Sequence, residues 1–205
     1  MNPIQSTILR AALAGCLTWG MAAGAKAQMS EGGTPPSFRY EQTLRSRAAT
    51  ETVAVNFNVD DEKLVDSWRE SEGLAPRCVS RLIDVKMNPH NAGVWSTLPD
   101  GQTIWQLEIE ARGAQALMLY YADFLIPEGG RLYLYNKDKS ELLGAYTHAT
   151  NPDGGRFATG FVSGDAVTLE YAPGPDGRRR QLEIESVGYG YNLPECDRIW
   201  RQGAQ

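Results

Sequence analysis

Cysteine and histidine are scarce in this 205-residue chain, which contains three cysteines and two histidines. It has no C-x-x-C pair, no H-E-x-x-H pair, no G-x-S-x-G nucleophile motif and no glycine-rich phosphate loop. Zinc sites, hydrolytic triads and nucleotide sites are built from these patterns. We therefore expect no metal, no cofactor and no catalytic residue, and we predict that the chain is not an enzyme.

The remaining candidates for acid–base chemistry have simpler explanations. His90 and His148 both adjoin turn segments, and we interpret them as solvated turn residues rather than general bases. Several aspartates lie in predicted turns, so a single calcium-binding loop remains an alternative. Turn chemistry explains these aspartates without an ion, and no EF-hand spacing is present. Four glutamates alternate with apolar residues, as on the wet face of a sheet rather than in a glycosidase pair: Glu108, Glu110, Glu183 and Glu185.

Basic charge and long apolar runs are also lacking. With 20 Lys and Arg against 25 Asp and Glu, the net charge is −5, which disfavours binding to nucleic acids or anionic membranes. No segment offers the ~20 consecutive apolar residues that a spanning helix needs. We therefore expect no nucleic-acid partner and no membrane span.

The first 27 residues have the pattern of a secretory signal peptide. Arg10 precedes an apolar stretch over residues 11–25, and small residues at 25 and 27 suit signal peptidase. Cleavage between Ala27 and Gln28 would export the remaining chain to the periplasm or the extracellular space. That chain keeps 18 basic and 25 acidic side chains, a net charge of −7. A lipobox-like segment at 13–16 leaves lipidation of Cys16 as the alternative.

Two cysteines remain after this cleavage, Cys78 and Cys196. An oxidising compartment would allow them to form one disulfide. Their separation in sequence permits this bridge without showing it. Two unpaired thiols, or a Cys196 that pairs with another chain, are the alternatives.

The stretch 93–111 predicts a β-hairpin. Pro99, Asp100 and Gly101 supply turn chemistry: Pro presets φ, Asp hydrogen-bonds the backbone just ahead of it, and Gly accepts positive φ. Trp95 and Trp105 flank this turn, and strict alternation follows it, which is typical of a half-buried antiparallel strand. We expect the apolar face to point into a sandwich core; that face carries Trp105, Leu107, Ile109 and Ala111.

Residues 60–71 have the pattern of the only substantial helix. Acidic residues occupy its first turn, where they could cap it and where the helix dipole favours them. Leu64, Val65 and Trp68 fall on one face, and we expect Trp68 to anchor the helix onto the sheet.

From residue 81 onward, short apolar or alternating runs are separated by turns rich in Pro, Asn, Asp and Gly. About eight or nine strands indicate an all-β protein, an antiparallel β-sandwich or jelly roll with one short N-terminal helix. We divide the chain into a signal peptide (1–27), an extended N-terminal segment (28–59), a helix plus sandwich domain (60–191) and a C-terminal tail (192–205). Besides the hairpin, the predicted strands are 52–57, 82–87, 116–126, 131–136, 142–148, 156–162, 166–171 and 180–191.

Several tyrosines occur within these strands. Sugar-binding modules use exposed aromatic rings as flat platforms, whereas tyrosines on sandwich strands are usually divided between core and surface. The sequence therefore leaves a secreted binding module for glycans or surface proteins as an alternative function. The tyrosines are Tyr120, Tyr121, Tyr133, Tyr135 and Tyr146.

A set of short motifs runs in order through residues 30–191. They are SEGGTPPSF at 30–38, IDV at 83–85, NAGVW at 91–95, LPDG at 98–101, IW at 104–105, FLIPEG at 124–129, LYLYN at 132–136, FATG at 157–160 and VTLEY at 167–171. As an ordered set they resemble the N-terminal propeptide region of lysyl endopeptidase-like, trypsin-type secreted bacterial serine proteases.

The resemblance implies a propeptide-like domain that acts as folding chaperone or inhibitor of a trypsin-like serine protease catalytic domain. In that family, a segment like 187–191 leads through a linker into the catalytic domain, whereas this sequence runs only to Gln205. No catalytic residue of the family can be carried over. Cys196 lies roughly where the family's catalytic domain opens with a cysteine, but its flanking residues do not match.

Overall fold

Two facing β-sheets form the body of the protein, as seen in a computed structural model that describes residues 30–40, 51–73, 79–175 and 181–193. The predicted all-β sandwich is confirmed, with 11 strands and one α-helix in the described ranges rather than eight or nine strands. The strands are β1 (Glu51–Ala54), β2 (Ser80–Met87), β3 (Val94–Thr97), β4 (Thr103–Glu110), β5 (Ala116–Leu125), β6 (Arg131–Asn136), β7 (Leu142–Tyr146), β8 (Phe157–Ala158), β9 (Val162–Ser163), β10 (Ala166–Ala172) and β11 (Gln181–Gly190); the helix is α1 (Val59–Ser71).

The first sheet has the order β1-β4-β10-β6-β7, and β3 also pairs with β4. Strand β3 pairs with the first half of β4 and β1 with the second half, so the two short strands share one edge of β4. The β1–β4 pair is parallel, which corrects the expectation of a purely antiparallel sandwich. This parallel pair brings part of the expected extended N-terminal segment into the sheet.

The second sheet has the order β2-β11-β5-β8, with β9 pairing the beginning of β5. The single strand expected over 156–162 is in fact two, β8 and β9, and residues 159–161 separate them. The Thr159 amide donates to the Leu119 carbonyl, and the Leu119 amide donates to the Thr159 hydroxyl, both at 3.0 Å. Because a side chain replaces one backbone partner, the ladder is interrupted there.

Side chains from the facing surfaces of both sheets fill the core, as the alternation in 103–111 predicts. Trp105 is fully buried, and so are its apolar neighbours on the same face of β4. An aromatic cluster extends this core: Phe124 stacks on Phe157 at 4.2 Å and meets Tyr121 edge-on at 5.0 Å. Such ring pairs add to the stabilisation that apolar burial provides.

Residues 30–40, which we call the N-terminal strap, lie across the outer face of the first sheet. The strap begins with two backbone hydrogen bonds to edge strand β7, from Glu31 to Ala145 and from Ala145 to Gly32, each 3.0 Å long. It ends in a 3₁₀ turn, Pro36–Tyr40. Phe38 meets Tyr135 edge-on at 4.9 Å, so the strap is held on a sheet face as well as at an edge.

Candidate functional site

The hairpin residues that the sequence singled out have structural roles in the turn between β3 and β4. The Gly101 amide donates to the Leu98 carbonyl at 2.9 Å, and the side chain of Asp100 accepts from the amide of Gln102 at 3.0 Å. Gly101 has φ +86°, the left-handed conformation that the sequence predicted for it. The Pro99-Asp100-Gly101 turn is therefore scaffold.

The two tryptophans of this hairpin sit directly opposite each other in the β3–β4 register. Trp105 donates its indole N–H to the Ala92 carbonyl at 2.9 Å, so its one polar atom is satisfied inside the core. Trp95 is half-buried and donates to the Pro89 carbonyl at 3.2 Å. Both rings hold the 88–93 turn against the sandwich.

The histidines and carboxylates do not come together as a site in the described residues. His90 is exposed and lies beside a cavity of about 200 Å³ that Asp123 and Glu183 also line. Both carboxylates are engaged in structure: Glu183 accepts from the side chain of Asn88 at 2.9 Å, and Asp123 accepts from the Gly155 amide at 3.0 Å. The described ranges contain no group of three or more His, Cys, Asp or Glu that could hold a metal ion.

His148 departs from the sequence interpretation of a solvated turn residue. It opens a short 3₁₀ turn, His148–Thr150, and is half-buried. Its Nδ1 atom has no hydrogen-bond partner within the described part of the chain.

Four of the five tyrosines considered as a glycan platform are buried. Tyr121 and Tyr133 are 1% exposed, and Tyr135 and Tyr146 are at most 5% exposed, while Tyr120 is half-buried. Tyr121 and Tyr146 belong to the core, whereas the strap covers the outer-face residue Tyr135. These rings therefore stabilise the sandwich and do not form a flat exposed surface.

The sequence analysis missed a hydrogen-bond network beneath the strap, centred on a buried carboxylate. Glu170 of β10 is fully buried and accepts the amide and hydroxyl of Ser37, the hydroxyl of Tyr135 at 3.1 Å and the side-chain amide of Gln106 at 3.1 Å. Burial, followed by the nearby Glu170 charge, raises the pKa of Tyr135 above its ordinary value. The signal available in the sequence was a single charged residue, Glu170, within the mostly apolar strand β10.

This network does not have the arrangement of a catalytic site. Every donor around Glu170 completes a hydrogen bond that the buried carboxylate requires, and the strap closes the face above it. The network instead joins three strands of the first sheet, β4, β6 and β10, to the strap.

Helix α1 presents apolar side chains to solvent. Leu64 is 71% exposed, Trp68 is 58% exposed and Val65 is 40% exposed. The expectation that Trp68 anchors the helix onto the sheet is therefore wrong. An exposed cluster of large apolar side chains is typical of an interaction surface.

Polar contacts hold the opposite face of α1 against the second sheet. Asp66 is 4% exposed and accepts the Tyr191 hydroxyl at 2.5 Å. Arg81 of β2 lies 2.6 Å from Glu62 and 3.4 Å from Asp66. These ion pairs and the tyrosine, rather than Trp68, fix the orientation of the helix.

The remaining predicted site residues fall outside the described ranges: Ala27 and Gln28 at the signal cleavage point, and Cys78 and Cys196. Within those ranges, no helix has the length and apolar character required to cross a membrane. No protein-family model matches the chain, and no solved structure matches it either. The resemblance to propeptides of lysyl endopeptidase-like proteases therefore rests on the sequence motifs, and the protease partner is a proposal.

Proposed function

We propose that this chain is an exported, non-catalytic propeptide-like domain that acts as folding chaperone or inhibitor of a lysyl endopeptidase-type serine protease domain. The observation that carries the proposal is the ordered set of family-like motifs. Its members lie on the strap (30–38), on β2 (83–85) of the second sheet, and on β6 and β10 (132–136 and 167–171) of the first. The resemblance thus extends over the whole sandwich and is not confined to one hairpin.

A rigid domain can assist folding because it binds the folded protease and not the unfolded one. Such selective binding stabilises the folded state by about 2.7 kcal/mol when the free domain is at 100 times its dissociation constant. If the bound surface also covers the substrate cleft, the same contact inhibits the protease. Two packed sheets joined by a buried core provide the fixed surface that this mechanism needs.

The strand tyrosines give no support to a glycan platform. Tyr121 and Tyr135 are buried, so they provide no platform for a sugar ring. The exposed ring on α1, Trp68, lies in an apolar cluster with Leu64, as is typical of a protein interaction surface.

A refolding and inhibition assay tests this proposal. The chain, expressed from its full sequence and exported by the host, is added to a denatured lysyl endopeptidase-type catalytic domain at the moment of dilution into native buffer. We expect greater recovery of Lys-specific cleavage, or reduced cleavage by the folded enzyme. An unrelated exported β-sandwich of similar net charge is the control. The absence of both effects would contradict the proposal, and a titration against a glycan panel would then test the alternative.

A further inference from the structure

The outward face of α1 carries three apolar side chains flanked by two acidic ones. At 100° per residue, Leu64, Val65 and Trp68 fall within about 100° of arc. Asp61 on the helix and Glu72, the residue that caps its C-terminal end, continue this arc before and after the apolar residues, and both are exposed. They are about 16 Å apart along the helix axis at 1.5 Å per residue. This face is thus an apolar stripe with a carboxylate at each end.

The sheet fixes the direction in which this stripe points. Glu62 and Asp66 lie on the inward face, where Arg81 and Tyr191 bind them. Rotating the helix to bury Trp68 would break these contacts and place two carboxylates in solvent. The contacts of the inward face therefore keep the apolar face exposed to solvent.

The stripe has the side chains and spacing of a helix that docks in a groove. Leu64 and Trp68 are four residues apart, and Val65 lies beside both, as in the i, i+3, i+4 anchors of helix-in-groove recognition. Tryptophan is among the residues that contribute most to binding at protein interfaces.

The charged residues around the stripe indicate which side chains a partner's groove would carry. Asp60, Asp61 and Glu72 are exposed around the stripe. The helix also carries two cations, the exposed Lys63 and Arg69, whose side chain is 40% exposed and lies 3.8 Å from Asp66. Carboxylates at the rim favour a partner with basic side chains and disfavour one with acidic side chains. The exported chain, with 18 basic and 25 acidic side chains and a net charge of −7, attracts a basic partner in the same way at long range.

We infer that the outward face of α1 docks into an apolar groove on the protease catalytic domain, and that a Lys or Arg side chain closes the groove at each end. This inference rests on the proposed function and names the surface that performs it. Asp61 and Glu72 meet the two basic side chains, while Trp68 and Leu64 fill the groove between them.

Inhibition of a lysyl endopeptidase-type catalytic domain by the full chain provides the test. We expect Trp68→Ser to weaken inhibition at least 30-fold, the size of a binding hot spot. Asp61→Lys combined with Glu72→Lys should weaken inhibition about 10-fold at low salt, and the difference should shrink at high salt. Leu142→Ser, on edge strand β7 of the other sheet and 36% exposed, is the control and should leave inhibition unchanged. Asp61, Trp68 and Glu72 are mostly exposed, so thermal unfolding of their variants should change little.

The possible outcomes distinguish a failure of the proposed docking surface from a failure of the proposed function. If the wild type inhibits and Leu64→Ser/Trp68→Ser inhibits equally well, the docking surface is wrong and the proposed function stands. If the wild type neither binds nor inhibits the protease, both fail. If sedimentation equilibrium shows a dimer that Trp68→Ser converts to a monomer, the face pairs with a second copy and the protease groove is refuted.

Discussion

Ser37 and Glu170 are 133 positions apart in the sequence, yet the amide and hydroxyl of Ser37 both donate to the carboxylate of Glu170. The amide contact measures 2.8 Å, and the carboxylate that receives it is fully buried. A buried carboxylate is costly unless donors surround it. The strap therefore supplies hydrogen bonds that the buried carboxylate of strand β10 needs, in addition to covering the sheet.

The Ser37→Ala variant should destabilise the protein by about 1.5–3 kcal/mol, the usual contribution of a hydrogen bond to a charged group. Hydrogen exchange of the strap amides should accelerate, because one of its attachments is lost. Ser30→Ala is the matched control: the Ser30 hydroxyl donates to a neutral carbonyl, that of Gly144, at 2.6 Å. Its removal should cost about 1 kcal/mol or less. Equal losses in urea unfolding would contradict this role of Glu170.

Gly93→Ala should be among the most destabilising single changes in the hairpin. Gly93 has φ +78°, and an added Cβ would lie 2.5 Å from the Trp105 indole nitrogen and 2.6 Å from the Gln106 carbonyl. We expect a loss of at least about 3 kcal/mol, because backbone strain and a clash in a packed core act together. Gly101→Ala is the control: its φ is +86° but nothing lies within 4 Å, so strain of about 1 kcal/mol remains. Urea unfolding of the two variants compares these costs directly.

The sequence predicted the sandwich because alternation with a period of two identifies the residues on the buried face of each strand. Trp105 and its neighbours are buried where the alternation placed them. It did not predict that Gln106, on the other face of the same strand, is also buried. That burial depends on the strap, about 70 residues earlier in the chain, and no local pattern in 103–111 encodes such coverage.

Helix α1 shows a second limit of sequence reasoning. The spacing of Leu64 and Trp68 correctly gives the residues that share a face, but not the direction in which that face points. The direction was decided by Arg81 and Tyr191, which bind the carboxylates on the opposite face. Partners from distant strands determine this choice, so periodicity within the helix cannot reveal it.

Tyr121→Phe should stabilise the protein. The Tyr121 ring is 1% exposed, and its hydroxyl has no hydrogen-bond partner among the described residues. Removing an unsatisfied buried hydroxyl should raise the free energy of unfolding by about 1 kcal/mol. Tyr189→Phe is the matched control, since the Tyr189 hydroxyl donates to the Arg112 carbonyl at 2.8 Å. It should destabilise by a similar amount, and a destabilised Tyr121→Phe would contradict the prediction.

Stability should fall at alkaline pH because of the buried tyrosines. Burial raises the pKa of Tyr121 and of Tyr146 above the ordinary value of 10.0. The unfolded chain ionises these phenols above about pH 10, while the folded chain keeps them neutral. Their contribution is therefore complete below pH 10 and is lost as pH rises above it, at about 1.4 kcal/mol per unit for each tyrosine. Urea midpoints between pH 9 and 11 measure this loss. The slope should be shallower in Tyr121→Phe, and a flat profile in the wild type would refute the prediction.

The possible disulfide between Cys78 and Cys196 lies outside the described residues, although the backbone near both cysteines in sequence is described at Val79 and Asn192. The Val79 carbonyl accepts the amide of Tyr191 at 3.1 Å and that of Asn192 at 3.4 Å. In sequence, Cys78 is adjacent to Val79, and Cys196 is four residues beyond Asn192.

Mass spectrometry of the exported, non-reduced protein decides between the bridge and two unpaired thiols: the bridge predicts one disulfide joining the peptides that contain Cys78 and Cys196. A bridge that closes a loop on the order of 100 residues stabilises by about 4 kcal/mol, so Cys78→Ser/Cys196→Ser should be less stable by that order. Each single Ser variant should lose the same amount, because either one breaks the bridge. Two freely alkylated thiols in the exported protein would show that the bridge does not form, and the double Ser variant would then match the wild type in unfolding.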